Sequence, residues 1–144
     1  MPELTPYLIE KRNEAARDLA QQKDWYAELS QNELSQINGL VSLTYAHGDD
    51  YCGLDEWSII FSFDGWTDSR GNLHEEKLVV RKVVQLEESD RIKKLVQPRS
   101  IVTISCHIGE IKGFDRKDAA LVNIIDSQVS DEQLERYQSE LEKP

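Results

Sequence analysis

No stretch of this 144-residue chain approaches the roughly 18 consecutive apolar residues that a bilayer span requires. Its start, Met1-Pro2-Glu3, has no basic flank followed by an apolar run. Neither membrane insertion nor export is expected. Phosphate-cradling glycine patterns are missing too: neither Gly-x-Gly-x-x-Gly nor Gly-x4-Gly-Lys occurs, so nucleotide chemistry is not indicated. Cysteine is scarce. Cys52 and Cys106 are the only two, far apart, and Cys106 falls within an alternating apolar run where a thiol packs as a small hydrophobe. That excludes a disulfide framework and fits reduced thiols in the cytoplasm, as does the lack of any Asn-x-Ser/Thr acceptor.

Positive charge is also short. Seventeen Lys and Arg face 27 Asp and Glu, a net charge of −10. An overall negative field repels polyanions, which argues against general binding to nucleic acid or to an anionic membrane. The total conceals a pattern. Residues 1–36 carry four positive and seven negative side chains, and residues 37–76 carry one and eight. Residues 77–117 reverse the sign with ten positive against five negative, before the tail from 118 returns to two against seven. The middle block is the place where an anionic partner could dock.

What is present is enough for one core: 39% hydrophobic residues, including eleven aromatics, in a chain of ordinary single-domain length. Thr5 followed by Pro6 reads as an N-cap with proline at the first helical position, where its missing N–H costs nothing. Leu8, Ile9, Ala15, Ala16, Leu19, Ala20, Tyr26 and Leu29 then recur at helical spacing, predicting a helix over about 6–29. A short second helical piece is expected around Asn32 to Ile37, ending at Asn38-Gly39. From Leu40 the period becomes two. Val41, Leu43 and Tyr45 form one core-facing set, and Trp57, Ile59, Phe61 and Phe63 another.

Asp68 to Asn72 reads as a hairpin tip, with Gly71 supplying the positive φ. A third strand follows over about Glu76 to Gln85. Glu88 or Ser89 opens a short amphipathic helix that runs through Val96 before Pro98. In the fourth strand Val102, Ile104, Cys106 and Ile108 should face inward. The nearly all-apolar Ala119 to Asp126 should be a fifth strand, central or covered on both faces. Ser130 and Gln133 form a capping box for a last helix.

These elements predict a single α+β domain: a long N-terminal helical segment (1–38), a β-rich core (39–127) and a C-terminal helix (128–144). The core is either a five-stranded, mostly antiparallel curved sheet or an OB-like barrel. The order of elements is similar to that of the OB barrel, which also places a helix between its third and fourth strands.

Chemistry-bearing clusters are few. His74-Glu75-Glu76-Lys77 resembles the opening of a zinc-protease helix, but Leu78 stands where the second histidine would be needed and the context is a strand. His47, Cys52, His74, Cys106 and His107 lack metal-ligand spacing, and Asp64, Asp68 and Asn72 lack that of a calcium loop, so no metal or cofactor is expected. Cys52 with His47 could form a nucleophile and base, yet Asp49, Asp50 and Asp55 beside them would raise the thiol pKa. No enzymatic activity is expected.

Two surfaces compete as binding sites. The acidic stretch with interleaved aromatics, Asp49, Asp50, Tyr51, Asp55, Glu56, Trp66 and Asp68, suits a basic protein partner, since aromatics anchor while rim charges speed encounter. On this reading the chain is a cytoplasmic, bacterial-type inhibitor, an immunity protein or antitoxin against a basic toxin. The plainer reading makes Trp57 core, Trp66 a cap on the hairpin and the acids a solvated face. In the second reading Lys77, Arg81 and Lys82 on the third strand of an OB-like barrel hold a single strand of nucleic acid or a small ligand. Against it, the aromatics of the second strand point into the core, which leaves that face without stacking platforms.

Overall fold

The computed structural model describes residues 5–47 and 56–129, with Asp131, Glu132, Glu135, Arg136 and Ser139 beyond them. Seven elements follow one another: α1 (Pro6–Leu29), β1 (Leu34–His47), β2 (Glu56–Thr67), β3 (Leu73–Gln85), α2 (Leu86–Leu95), β4 (Ile101–Glu110) and β5 (Lys117–Gln128). The strands close into a barrel in the order β1-β2-β3-β5-β4. All pairings are antiparallel except that of β3 with β5. With α2 between β3 and β4, the arrangement is OB-like, and closure leaves the barrel without an open sheet edge.

Closure depends on β1. Its first half pairs with β4 (Leu34 to Leu40) and its second half with β2 (Asn38 to His47), with irregularities between Gly39 and Val41 and between Val41 and Leu43. Bulges bend a strand and reset which face its side chains take. Gly39 sits at the bend, where a Cβ would lie 2.7 Å from the Phe63 ring, so the close approach admits no side chain. Val41 faces the interior as expected, but Leu43 and Tyr45, also expected in the core, are turned outward and exposed.

Phe61, Phe63, Leu78, Val80, Ile104 and Leu121 fill the barrel, and Phe61 and Phe63 meet edge to face at 5.5 Å. Burying each ring removes it from water for about 1.5–3 kcal/mol. Ile92 and Val96 bring α2 into the same cluster. Unpaired carbonyls at the end of α2 are capped by side chains from the barrel, Thr44 donating to Val96 O and Ser127 to Leu95 O.

Helix α1 begins as the sequence predicts, with Thr5 Oγ1 accepting from Leu8 N. Only its last two turns pack firmly. Leu29 is fully buried against Ile111 and Ala120, Trp25 and Tyr26 pack beside it, and the Tyr26 hydroxyl donates to Leu121 O at 2.7 Å. The helix therefore lies on the outside of the barrel, over β3 and β5.

Two expected elements differ. The short helix over Asn32 to Ile37 is instead the start of β1. Leu34 and Ile37 are spaced as on a helix, but the pairing of Leu34 to Ile37 with His107 to Ile104 is worth more to the backbone than one unsupported turn. No C-terminal helix is among the described elements, which end with β5. Ser130, Gln133, Leu134, Tyr137 and Leu141, on which that expectation rested, lie outside the described residues. In β5, Ala119 to Leu121 are buried on both faces as expected, and so is Asp118 just before the expected start, while Val122 and Ile125 are exposed.

Candidate functional site

The outward side chains of three strands line up in two rows that run across to β5. Cross-strand register places Leu43, Ser62, Val79 and Asp118 in one row and Tyr45, Ile60, Arg81 and Ala120 in the next. The rows are open at the β1 end and covered at the β5 end, where α1 and the connection between β4 and β5 lie over them. Between open and covered ends runs a groove of about 290 Å³, lined by Gln22 and Trp25 from α1, by the strand residues, and by Phe114 and Arg116 from the β4–β5 connection.

Its charge is unlike that of the molecule as a whole. Lys77, Arg81 and Arg116 line it, and no carboxylate does. Beneath the lining, Asp118 is wholly buried and accepts from both Arg81 Nη2 and Arg116 Nε, the latter at 2.8 Å. Two guanidinium groups thus share one carboxylate. Arg81, with 3% of its surface exposed, also donates from Nη1 to Gln22 Oε1 at 2.8 Å, while its Nε has no acceptor. A buried donor left unpaired costs about 1–3 kcal/mol.

Aromatic rings complete the walls. The Arg81 guanidinium sits 4.9 Å from the Trp25 ring, and that of Arg116 sits 4.8 Å from Phe114. Trp25 and Phe114 meet edge to face at 5.1 Å. With Tyr45, three rings from three different elements surround the groove. The expectation that this face lacks stacking platforms is corrected. Phe61 and Phe63 of β2 do belong to the core, but the rings come from α1, β1 and a loop.

The residues expected to bind a basic partner are not gathered into one surface among the described residues. Asp49, Asp50, Tyr51 and Asp55 lie outside them. Glu56 opens β2 and pairs with Lys23 at 2.6 Å. Trp66 is a core residue rather than an exposed anchor, 4% exposed and stacked on the His74 ring at 3.8 Å. Asp68 closes the hairpin, accepting from His74 Nε2 and from the amides of Arg70 and Asn72, with Gly71 at φ 84°. Those bonds, that of His74 foremost, hold its carboxyl down to about 2.

Of the basic trio, Lys77 and Arg81 reach the groove, whereas Lys82 takes the other side of β3 and donates to Val122 O. Burial pushes the Cys106 thiol up to about 12, which leaves it unreactive at neutral pH. Cys52 lies outside the described residues. Among the described residues no group of three or more His, Cys, Asp or Glu is placed to hold a metal, and no helix is long and apolar enough to cross a membrane.

Gln22, Trp25, Tyr45, Phe114 and Arg116 were missed as site residues. Phe114 offered a signal, being an aromatic in an otherwise polar turn, Lys112-Gly113-Phe114-Asp115-Arg116.

No curated protein and no solved structure matches the chain. A family model does match it over residues 21–141, which takes in the last turns of α1 and the whole barrel, and the chain accordingly belongs to the family described as domain of unknown function DUF7021.

Proposed function

We propose that this chain is a non-enzymatic binding module whose seat is the groove on the outer face of β1, β2 and β3, and that its ligand is compact and carries a flat ring. The convergence of Trp25, Tyr45 and Phe114 around about 290 Å³ carries the reading. That volume lies near the lower end of the range for small-molecule sites, and ring walls with a few polar groups are their usual lining. Binding is favoured over catalysis because the groove's one serine, Ser62, is hydrogen-bonded to Ser42 and has neither a histidine nor a carboxylate among the lining residues to activate it.

A compact ligand is favoured over a long single strand on two grounds. The groove is covered at its β5 end, and a strand needs a positive track that a protein of net charge −10 does not extend. Titration of the isotope-labelled chain with ring compounds tests the reading. Shifts should concentrate at Tyr45, Phe114 and the Trp25 indole N–H, and Phe114→Ala should weaken binding by about tenfold, the effect of losing one stacked ring. Shifts confined to other surfaces, or unchanged affinity in Phe114→Ala, would sink it.

A second reading, an acidic module that covers a basic partner such as a toxin, is supported by the one-to-eight charge balance of residues 37–76. Co-purification of a stoichiometric basic protein from the native host favours it over the first.

A further inference from the structure

We infer that the groove selects an anionic ligand, a ring that carries a phosphate as in a nucleoside monophosphate, and that Arg81 is the residue that makes the selection. The inference rests on the groove being the ligand seat. Three observations lead to it. In a protein of net charge −10, the groove is lined by three cations and no carboxylate. Arg81 and Arg116 share the single carboxylate of Asp118, which leaves one unit of positive charge uncompensated, and Lys77 lines the same groove across from Asp64 of β2. A phosphate monoester, with about −1.5 to −2 of charge at neutral pH, meets that surplus with three acceptor oxygens where a carboxylate offers two.

The third observation concerns geometry. Arg81 is held on three sides, by Gln22, by Asp118 and by the Trp25 ring, and its Nε is left without an acceptor. A phosphate oxygen supplies one. Guanidinium to phosphate bonds are among the strongest in proteins because both partners are charged. Nε is covered, so an oxygen reaches it only as the groove wall, which includes Trp25, rearranges locally. Free nucleotides and the terminal nucleotide of a single strand present the same ring and phosphate.

Calorimetric and NMR titrations of the full chain with adenosine and uridine 5′-monophosphates, the parent nucleosides, inorganic phosphate and a thymidine hexamer with and without a 5′-phosphate test the inference. The monophosphates should bind at least about tenfold tighter than the nucleosides, a preference that falls as salt is raised. They should also shift the Trp25 indole N–H. Arg81→Lys keeps a cation beside Asp118 but has no Nε, and it should erase most of the preference. If Arg81→Lys does not fold, Arg116→Ala and Lys77→Ala, both at exposed positions, should each reduce the same preference several-fold.

Tighter binding of the phosphorylated hexamer than of the mononucleotides assigns the strand end as the natural source, and equal binding assigns the free nucleotide. Both support the inference. Equal affinity for nucleosides and monophosphates overturns it and leaves the groove standing as a ring site, whereas binding of neither overturns the groove reading as well. A phosphate preference that survives in Arg81→Lys removes Arg81 from the selecting role.

Discussion

Val80 and Arg81 are neighbours in β3 and almost equally buried, yet they are buried for opposite reasons. Val80 points into the barrel, where Phe61, Leu121 and the other interior residues exclude water by close packing. Arg81 points outward and is covered from above, by α1 and the β4–β5 connection, and is tolerated there because Asp118, Gln22 and Trp25 meet it. Inside, stability comes from apolar contact that each residue makes with many neighbours at once. Outside, it comes from a set of polar partners, each of which the others need.

That contrast can be broken by substitution. The largest effect should come from Asp118→Ala, which leaves two guanidinium groups without their carboxylate, one of them buried, and should destabilise the fold by about 3–5 kcal/mol in urea unfolding. A loss below about 1 kcal/mol, the value of an exposed pair, would show that the outer face is wetter than it looks. On the inner face, Leu78→Ala should cost about 2–5 kcal/mol through lost burial and the cavity left behind. Its cost should be independent of salt, whereas that of Asp118→Ala should shrink as salt screens the unpaired charges.

The smallest effect, and the one that isolates a partly exposed polar cluster, is at the hairpin. Asp68 has its carboxyl held to about 2 in the folded chain, against an ordinary value near 3.9 when unfolded. A depressed folded value means that the ionised form favours folding. Its contribution is complete above about pH 4 and is lost as pH falls from about 4 to about 2. Asp68→Asn should retain the turn but remove this contribution. The stability difference between the two proteins should be constant above about pH 4 and close toward about pH 2, and a difference that grows on acidification would refute the assignment.

Much of the inner face was legible because it obeys short-range rules. Alternation placed Ile59, Phe61 and Phe63 of β2, and Val102, Ile104 and Cys106 of β4, on the core side, where they are found. The end of α2 near Pro98 and the tip at Gly71 followed from proline and glycine chemistry. In β1 the same reasoning misplaced Leu43 and Tyr45, since a bulge inverts the alternation without a fixed residue signature. The groove was less legible because it is assembled from α1, three strands and a loop, which lie up to 94 positions apart between Gln22 and Arg116. Two residues at the groove did leave a mark: Arg81 interrupts the run Val79-Val80-Arg81-Lys82-Val83, and Asp118 precedes Ala119-Ala120-Leu121. A charge within an otherwise buried strand calls for a partner on another such strand.

Only three residue pairs join β3 to β5, Val79 with Asp118, Val80 with Ala119 and Arg81 with Ala120. This is the shortest seam in the ring of strands, and it connects segments that are separated in the chain by α2 and β4. A seam held by so few pairs is the natural place for the ring to open. The helix end, the arginine pair and any guest held between them lie across that joint, so occupation of the groove would fasten the barrel shut, and amide exchange along β5 would slow when it does.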